Sequence, residues 1–450
     1  MRLLLRFNLA RLIAFGHHSD VPERNILAGY LVYMLVGFGL LMLPWATASK
    51  VGWLDNLFTA ASALSTTGLA TVDIPSAYTI FGQCVILCLV QLGAVGYMTL
   101  SSYIIYRLTH HSMGYSGKVV GTSMAVPVGM KLRDLVSTAI HFTLIFETLG
   151  FISFYIALSH AGIGAPGWNA LFLSVSSFCT AGFSPFSDSL CSFSDNLAVN
   201  ITVAVLSYAG AMGFIVITDL TRKLRRRGYR ITFTSKVIIL ITAIMTLCGT
   251  LILALSPDMA HGQPATRTIM LSFFQTMSAM TTVGFNTMDL SALHTGPILV
   301  FCLIMFVGAS PSGTGGGVKC TSLSAVWGFI MAKLGLRRHV TFLGRIIPGY
   351  RIDTALTSIL VYGTMIFLGC LVMSYSEPFG LSRILFEATS AIGTVGLSTG
   401  ITPELSATGK TVIITLMYIG RVGVITFGSA LVIRTKRAKH TAAKTADLAA

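Results

Sequence analysis

Apolar positions gather into runs at about 27–47, 79–106, 134–158, 196–220, 236–256, 297–332, 354–375 and 406–433, separated by polar and basic stretches. A helix needs about 20 mostly apolar residues to cross a bilayer. The pattern therefore predicts eight crossings, with both chain ends on the same side. Between the members of each pair lies a shorter, semi-polar stretch, at about 55–67, 169–181, 268–283 and 383–395. These stretches are too short to cross and read as helices that enter and return. Lipid cannot satisfy their backbone, so they must be buried in protein or line water.

Aligned on Gly68, Gly182, Gly284 and Gly396, the four short stretches agree with one another. Ten residues earlier stands Phe in every copy (Phe58, Phe172, Phe274, Phe386), and six earlier Ser (Ser62, Ser176, Ser278, Ser390). Two residues before the glycine stands Thr (Thr66, Thr180, Thr282, Thr394), and one residue after it Leu or Phe. The glycines are 114, 102 and 112 residues apart, so the chain is four copies of one unit. Phe and Ser at i, i+4 share a helix face and fit packing. The Thr-x-Gly element fits packing less well, because it ends the apolar helix where backbone is left unpaired.

Composition supports the membrane reading. Of 450 residues, 54% are hydrophobic and only 10% charged, against about a quarter in soluble domains. The net charge of +15 is not a nucleic-acid signal. Of 31 Lys and Arg, 25 fall in segments 1–25, 107–133, 222–236, 333–351 and 434–444. Lys50, Arg267, Arg383 and Lys410 lie in the opposite loops, and Lys319 and Arg421 within apolar runs. This bias puts the basic loops, next to lipid headgroups, and both termini in the cytoplasm. The first residues look like a signal peptide, but Arg6 and Arg11 interrupt the apolar stretch, so a basic cytoplasmic segment is expected there. The eight cysteines form no CxxC pair, and Cys179 and Cys191 are not expected to form a disulfide.

Four Thr-x-Gly elements suggest a cation filter. Rings of backbone carbonyls can replace the hydration shell of potassium. Glycine tolerates the torsions that presenting such carbonyls requires. A preceding helix aims its partly negative C-terminus at the ion. The expected filter comprises Thr66, Thr67 and Gly68; Thr180, Ala181 and Gly182; Thr282, Val283 and Gly284; and Thr394, Val395 and Gly396, with potassium at their carbonyls. One glycine per copy implies a simpler filter, with fewer sites and weaker discrimination against sodium than the two-glycine TVGYG filter of potassium channels.

The second helices carry QLGAVG at 91–96, YAGAMG at 208–213 and YIGRVG at 418–423, which fits close helix packing. The third copy differs. Its run of 297–332 is too long for one straight span and contains Ser310, Pro311, Ser312, Gly313, Thr314, Gly315, Gly316, Gly317 and Lys319. No helix runs through this, so a break at membrane depth is expected, buried or lining water. A phosphate-binding loop is excluded, since Lys319 follows Val318 and precedes Cys320. Arg421 lies inside an apolar run, and an ionisable residue there is a functional candidate; a buried carboxylate partner is the plainer alternative.

Taken together, these motifs resemble the bacterial Trk/Ktr potassium transporter subunits, related to plant HKT proteins, over essentially the whole chain. The short N-terminus is most similar to the KtrB-like branch. The resemblance implies an all-α membrane protein of four tandem helix–pore loop–helix repeats, with eight transmembrane and four re-entrant helices around a central pore. It assigns the filter to 66–69, 180–183, 282–285 and 394–397. It makes the loop 309–319 a gate beneath the filter, and Arg421 an electrostatic part of that gate. KtrB-like proteins often carry Asn or Arg ahead of some filter segments, where this chain has Cys179 and Thr281. The expected division is a basic segment at 1–26, repeats at 27–107, 108–222, 223–340 and 341–434, and a tail at 435–450.

The resemblance further implies potassium uptake, with sodium a candidate activator, by a homodimer on a cytoplasmic ring of KtrA-like or TrkA-like nucleotide-binding subunits. No organic cofactor is expected on this chain, whose cytoplasmic loops contain no nucleotide-binding domain. A cation-coupled secondary transporter would show carboxylates within spans; Glu147 and Glu387 are the few candidates. A sodium- or calcium-permeable channel would want acidic rings at the filter, whereas Asp73 and Asp289 lie beyond it. An enzyme would need a convergent catalytic set, and none is found.

Overall fold

A computed structural model of the chain describes residues 22–96, 132–225, 228–260, 262–311, 313–336 and 339–423. Most of the expected N-terminal segment, the basic loop at 107–133 up to residue 131, Ser312 and the tail at 435–450 lie outside the described residues.

The first repeat contains α1 (Pro22–Leu41), the pore helix α2 (Trp53–Ser65) and α3 (Ile80–Val95). The second contains α4 (Leu132–His160), the pore helix α5 (Pro166–Phe178) and α6 (Leu197–Arg225), which continues past the expected boundary at 222. The third contains α7 (Phe233–Ala254), the pore helix α8 (Ala265–Thr281), α9 (Thr295–Phe306) and α10 (Cys320–Leu334). The fourth contains α11 (Gly349–Ser376), the pore helix α12 (Leu381–Gly393) and α13 (Ala407–Val422). Among the described residues four helices, α4, α6, α7 and α11, are long and apolar enough to cross a membrane alone, and the other spanning candidates are shorter. Local sequence starts several of them: Thr79, Thr232 and Ser406 cap α3, α7 and α13 by accepting from the main chain three residues on.

Large apolar side chains are exposed on the outside of the helices as well as buried within. Leu149 on α4, Leu247 on α7, and Leu360 and Phe367 on α11 are all more than half exposed. Also buried are the hydroxyls and amides of the pore helices, such as Thr59, Ser62, Ser176, Gln275 and Ser390. An apolar exterior suits lipid outside, and the buried polar groups of the pore helices lie among apolar core residues. The repeated phenylalanines Phe58, Phe172, Phe274 and Phe386 are all buried, as packing predicts.

The repeats close into a ring. Each pore helix packs against its own two flanking helices and against the second helix of the preceding repeat: α2 on α13, α5 on α3, α8 on α6 and α12 on α9. Polar ties cross each junction. Ser187 Oγ donates to Asp73 at 2.9 Å, and Arg267 pairs with Asp195 at 3.2 Å. Arg383 donates to the Ser291 carbonyl at 3.0 Å, and Lys410 Nζ to Asp55 at 2.7 Å. Three of the four cations in the loops opposite the basic clusters (Arg267, Arg383 and Lys410, but not Lys50) thus join one repeat to the next.

Candidate ion pathway

All four pore helices end in one way. Thr66, Thr180, Thr282 and Thr394 adopt the left-handed conformation, with φ of 53, 52, 60 and 50°. The N–H of the next residue returns to the Ser carbonyl five back: Thr67 to Ser62, Ala181 to Ser176, Val283 to Ser278 and Val395 to Ser390, at 2.8–3.1 Å. The threonine N–H bonds three residues back. This is a Schellman cap, which normally carries glycine at the left-handed position. A β-branched residue there is strained, by roughly 1–3 kcal/mol per site. Its fourfold recurrence shows that the surrounding ring dictates the backbone.

Two residues on, Gly68, Gly182, Gly284 and Gly396 all have positive φ, from 66 to 94°. A Cβ on Gly68 would strike the Ala181 carbonyl, on Gly182 that of Val283, on Gly284 that of Val395, and on Gly396 that of Thr67. Each collision crosses to the next repeat, and the fourth returns to the first. Four glycines and four carbonyls therefore form one closed ring, at which four pore-helix C-termini converge.

The repeated serine does more than pack. Ser62 Oγ accepts from the Gly68 N–H and Ser390 Oγ from the Gly396 N–H, both at 3.1 Å. Ser278 instead donates to the Phe285 carbonyl at 2.6 Å. Beyond the ring, Glu387 accepts from Ser398 at 2.5 Å, from the Thr399 N–H at 3.1 Å and from Thr402 at 2.9 Å. That carboxylate braces the segment that follows the fourth glycine. Glu147 lies behind the second segment, where Cys179 Sγ is 3.6 Å from it and donates to Gln91 at 3.2 Å. Cys179 and Cys191 are both free.

The glycine motifs of the second helices prove to have two functions. The first glycine is a close contact: a Cβ on Gly93, Gly210 or Gly420 would strike the Leu64, Phe178 or Ile392 carbonyl at the end of the neighbouring pore helix. The second is a break, since Gly96, Gly213 and Gly423 have φ of 79, 76 and 88°. A break frees carbonyls in the preceding turn, and donors from other elements take them. Thr314 N–H bonds the Gly210 carbonyl at 3.0 Å and Ser310 N–H that of Ala211 at 3.1 Å. Ser310 Oγ reaches the Met212 carbonyl at 2.7 Å, and Tyr362 OH that of Gly420 at 3.2 Å.

In the third repeat the break is a whole segment between α9 and α10. It begins and ends in two short parallel strands, β1 (Val307–Gly308) and β2 (Val318–Lys319). Between them the chain runs beneath the ring. Thr314 Oγ1 is 2.9 Å from Thr180 Oγ1. A Cβ on Gly315 would strike the Thr282 hydroxyl, and one on Gly316 the Thr394 hydroxyl. Gly313 lies against the Ala211 carbonyl, and Gly317 has φ of 75°. The loop thus meets three of the four ring threonines from one side. Lys319 Nζ returns to the Gly315 carbonyl at 2.9 Å. Arg421 donates from Nη1 to the Thr314 carbonyl, from Nη2 to the Gly93 carbonyl, and from Nε to Tyr30 OH at 3.2 Å. Among the described residues neither cation pairs with a carboxylate, so the plainer alternative for Arg421 is not realised.

Four pseudo-equivalent repeats around a carbonyl ring define a multi-pass helical membrane protein of pore-loop architecture. The family model for the cation transport protein TrkH matches residues 33–440, and the chain belongs to that family. It is 33% identical over 420 residues to the Ktr system potassium uptake protein B of Vibrio alginolyticus, covering 90% of each chain. It is 31% identical over 431 residues to the potassium/sodium uptake protein NtpJ of Enterococcus hirae, covering 93% of this chain and 94% of that one. The crystal structure of the potassium transporter TrkH from Vibrio parahaemolyticus shares the fold, with a TM-score of 0.74 at 18% identity over 92% of this chain and 86% of that one. These relatives are transporters, and the chain is not an enzyme.

Proposed function

We propose that this chain is the membrane subunit of a potassium uptake system of the bacterial cytoplasmic membrane. Potassium sheds water at the ring of Thr67, Ala181, Val283 and Val395 carbonyls and passes between the four glycines. The single observation that carries this reading is the closure of that ring, in which each glycine makes room for the next repeat's carbonyl. Carbonyl oxygens without a fixed negative charge suit a weakly hydrated monovalent cation. The loop 309–319 and Arg421 gate the path from below, the loop by occupying it and the cations by raising the energy of an approaching ion.

The working assembly in this reading is a homodimer with both termini cytoplasmic, controlled by a KtrA-like or TrkA-like nucleotide-binding ring. Support for a partner comes from the relatives named as members of Ktr systems. Sodium acts as an activator, and a sodium-permeable pathway is the second reading. The relative named a potassium/sodium uptake protein favours that second reading. Rubidium uptake into proteoliposomes, with potassium or sodium as competitor, separates the two. Competition by potassium at lower concentration than sodium supports the first.

A further inference from the structure

One hydroxyl joins the gate arginine to the first filter segment. Tyr30 on α1 is buried, and its OH donates to the Leu64 carbonyl at 2.9 Å while accepting from Arg421 Nε at 3.2 Å. Leu64 stands two residues before Thr66, and its carbonyl is one of the last of α2, a position without an intrahelical partner. That same carbonyl lies against Gly93, whose own carbonyl takes Arg421 Nη2. The Tyr30 ring is fixed edge-on to Tyr418 at 6.3 Å, and Tyr418 OH is anchored on the Leu27 carbonyl at 2.7 Å.

Each guanidinium nitrogen therefore serves a different element: Nη1 the loop, Nη2 the broken end of α3, and Nε the first pore helix through Tyr30. The guanidinium is planar, so fixing Nε fixes the direction of both Nη groups. We propose that Tyr30 is the positioning residue of the gate: its hydroxyl aims Arg421 at Thr314 and ties the loop's closed position to the first filter segment. This inference rests on the reading of 309–319 and Arg421 as the gate.

The test measures rubidium flux through the purified full chain in proteoliposomes. Tyr30→Phe keeps the ring and removes the hydroxyl. Loss of a hydrogen bond to a charged group should shift the closed–open balance, and so the basal flux, upward by roughly tenfold. In an Arg421→Ala background the same change should add nothing, because the two act through one contact. A purely structural role would alter flux equally in both backgrounds, and that result overturns the inference. Wild-type flux in Tyr30→Phe, with raised flux in Arg421→Ala, overturns the inference and leaves the gate reading standing. Unchanged flux in both Arg421→Ala and the loop deletion overturns the gate reading, and the inference with it. Should Tyr30→Phe fail to fold, Tyr30→Met addresses the same point, since a flexible apolar side chain fills the space without the hydroxyl. Raised flux supports positioning, and wild-type flux overturns it.

Discussion

The hydroxyl of Thr314 lies 2.9 Å from the hydroxyl of Thr180, 134 residues earlier in the chain. One hydrogen bond thus separates the loop between α9 and α10 from the second Thr-x-Gly segment. The Thr314 N–H is held by Gly210 and its carbonyl by Arg421. Removing residues 312–317 removes all of these contacts together, each worth about 1 kcal/mol or more. The deletion is expected to raise rubidium flux by more than about tenfold, since 1.4 kcal/mol is already that factor. Unchanged flux would mean that the loop does not obstruct the path.

Arg421→Ala removes a half-buried positive charge together with donors to three elements. Flux is expected to rise by roughly tenfold or more, on the scale of charged hydrogen bonds. The concentration dependence of uptake should change with it, since a fixed charge acts on every approaching ion. Initial uptake rates measured over a range of rubidium concentrations check both effects.

Gly284→Ala places a methyl against the Val395 carbonyl and the Gly396 Cα at a φ of 80°. The left-handed backbone alone costs an alanine about 1–2 kcal/mol. The collision distorts the ring itself, so the main expected effect is on ions rather than on folding. Uptake should fall at least about tenfold, with discrimination between potassium and sodium reduced. Competition assays on the intact, monodisperse variant measure this.

Gly213→Ala acts elsewhere. Alanine disfavours the φ of 76° at the break in α6, by about 1–2 kcal/mol. A lower melting temperature in detergent is expected. If α6 straightens, the Gly210, Ala211 and Met212 carbonyls withdraw from Thr314 and Ser310, and flux should rise as well. Raised flux without any loss of stability would contradict the strain argument.

Several of these features can be read from the residues. Period and length mark the spans, and the Thr-x-Gly register marks the ring. The glycine-rich run after Phe306 cannot be helix, and the chain breaks there. Other features have no local signal. Threonine is a poor residue for a left-handed cap, so the fourfold ring, not local propensity, sets that conformation. In QLGAVG the two glycines look alike, yet Gly93 makes room for a carbonyl and Gly96 turns the chain. Their three-residue spacing, repeated in three second helices, is the signal that distinguishes them. Lys410 and Arg383 look like residual outer charges until the ring closes and brings Asp55 and Ser291 beside them. Tyr30 is one aromatic in an apolar run, and nothing local connects it to a residue 391 positions away.

The central claim is that the glycine–carbonyl ring is the ion path. Rubidium uptake by proteoliposomes of the wild type and of Gly284→Ala, each with potassium or sodium competing, tests it most directly. The account predicts saturable wild-type uptake, blocked by potassium at lower concentration than sodium, and a variant that loses both rate and preference. Wild-type uptake no greater than in protein-free vesicles, or a folded Gly284→Ala with unchanged rate and preference, would contradict it.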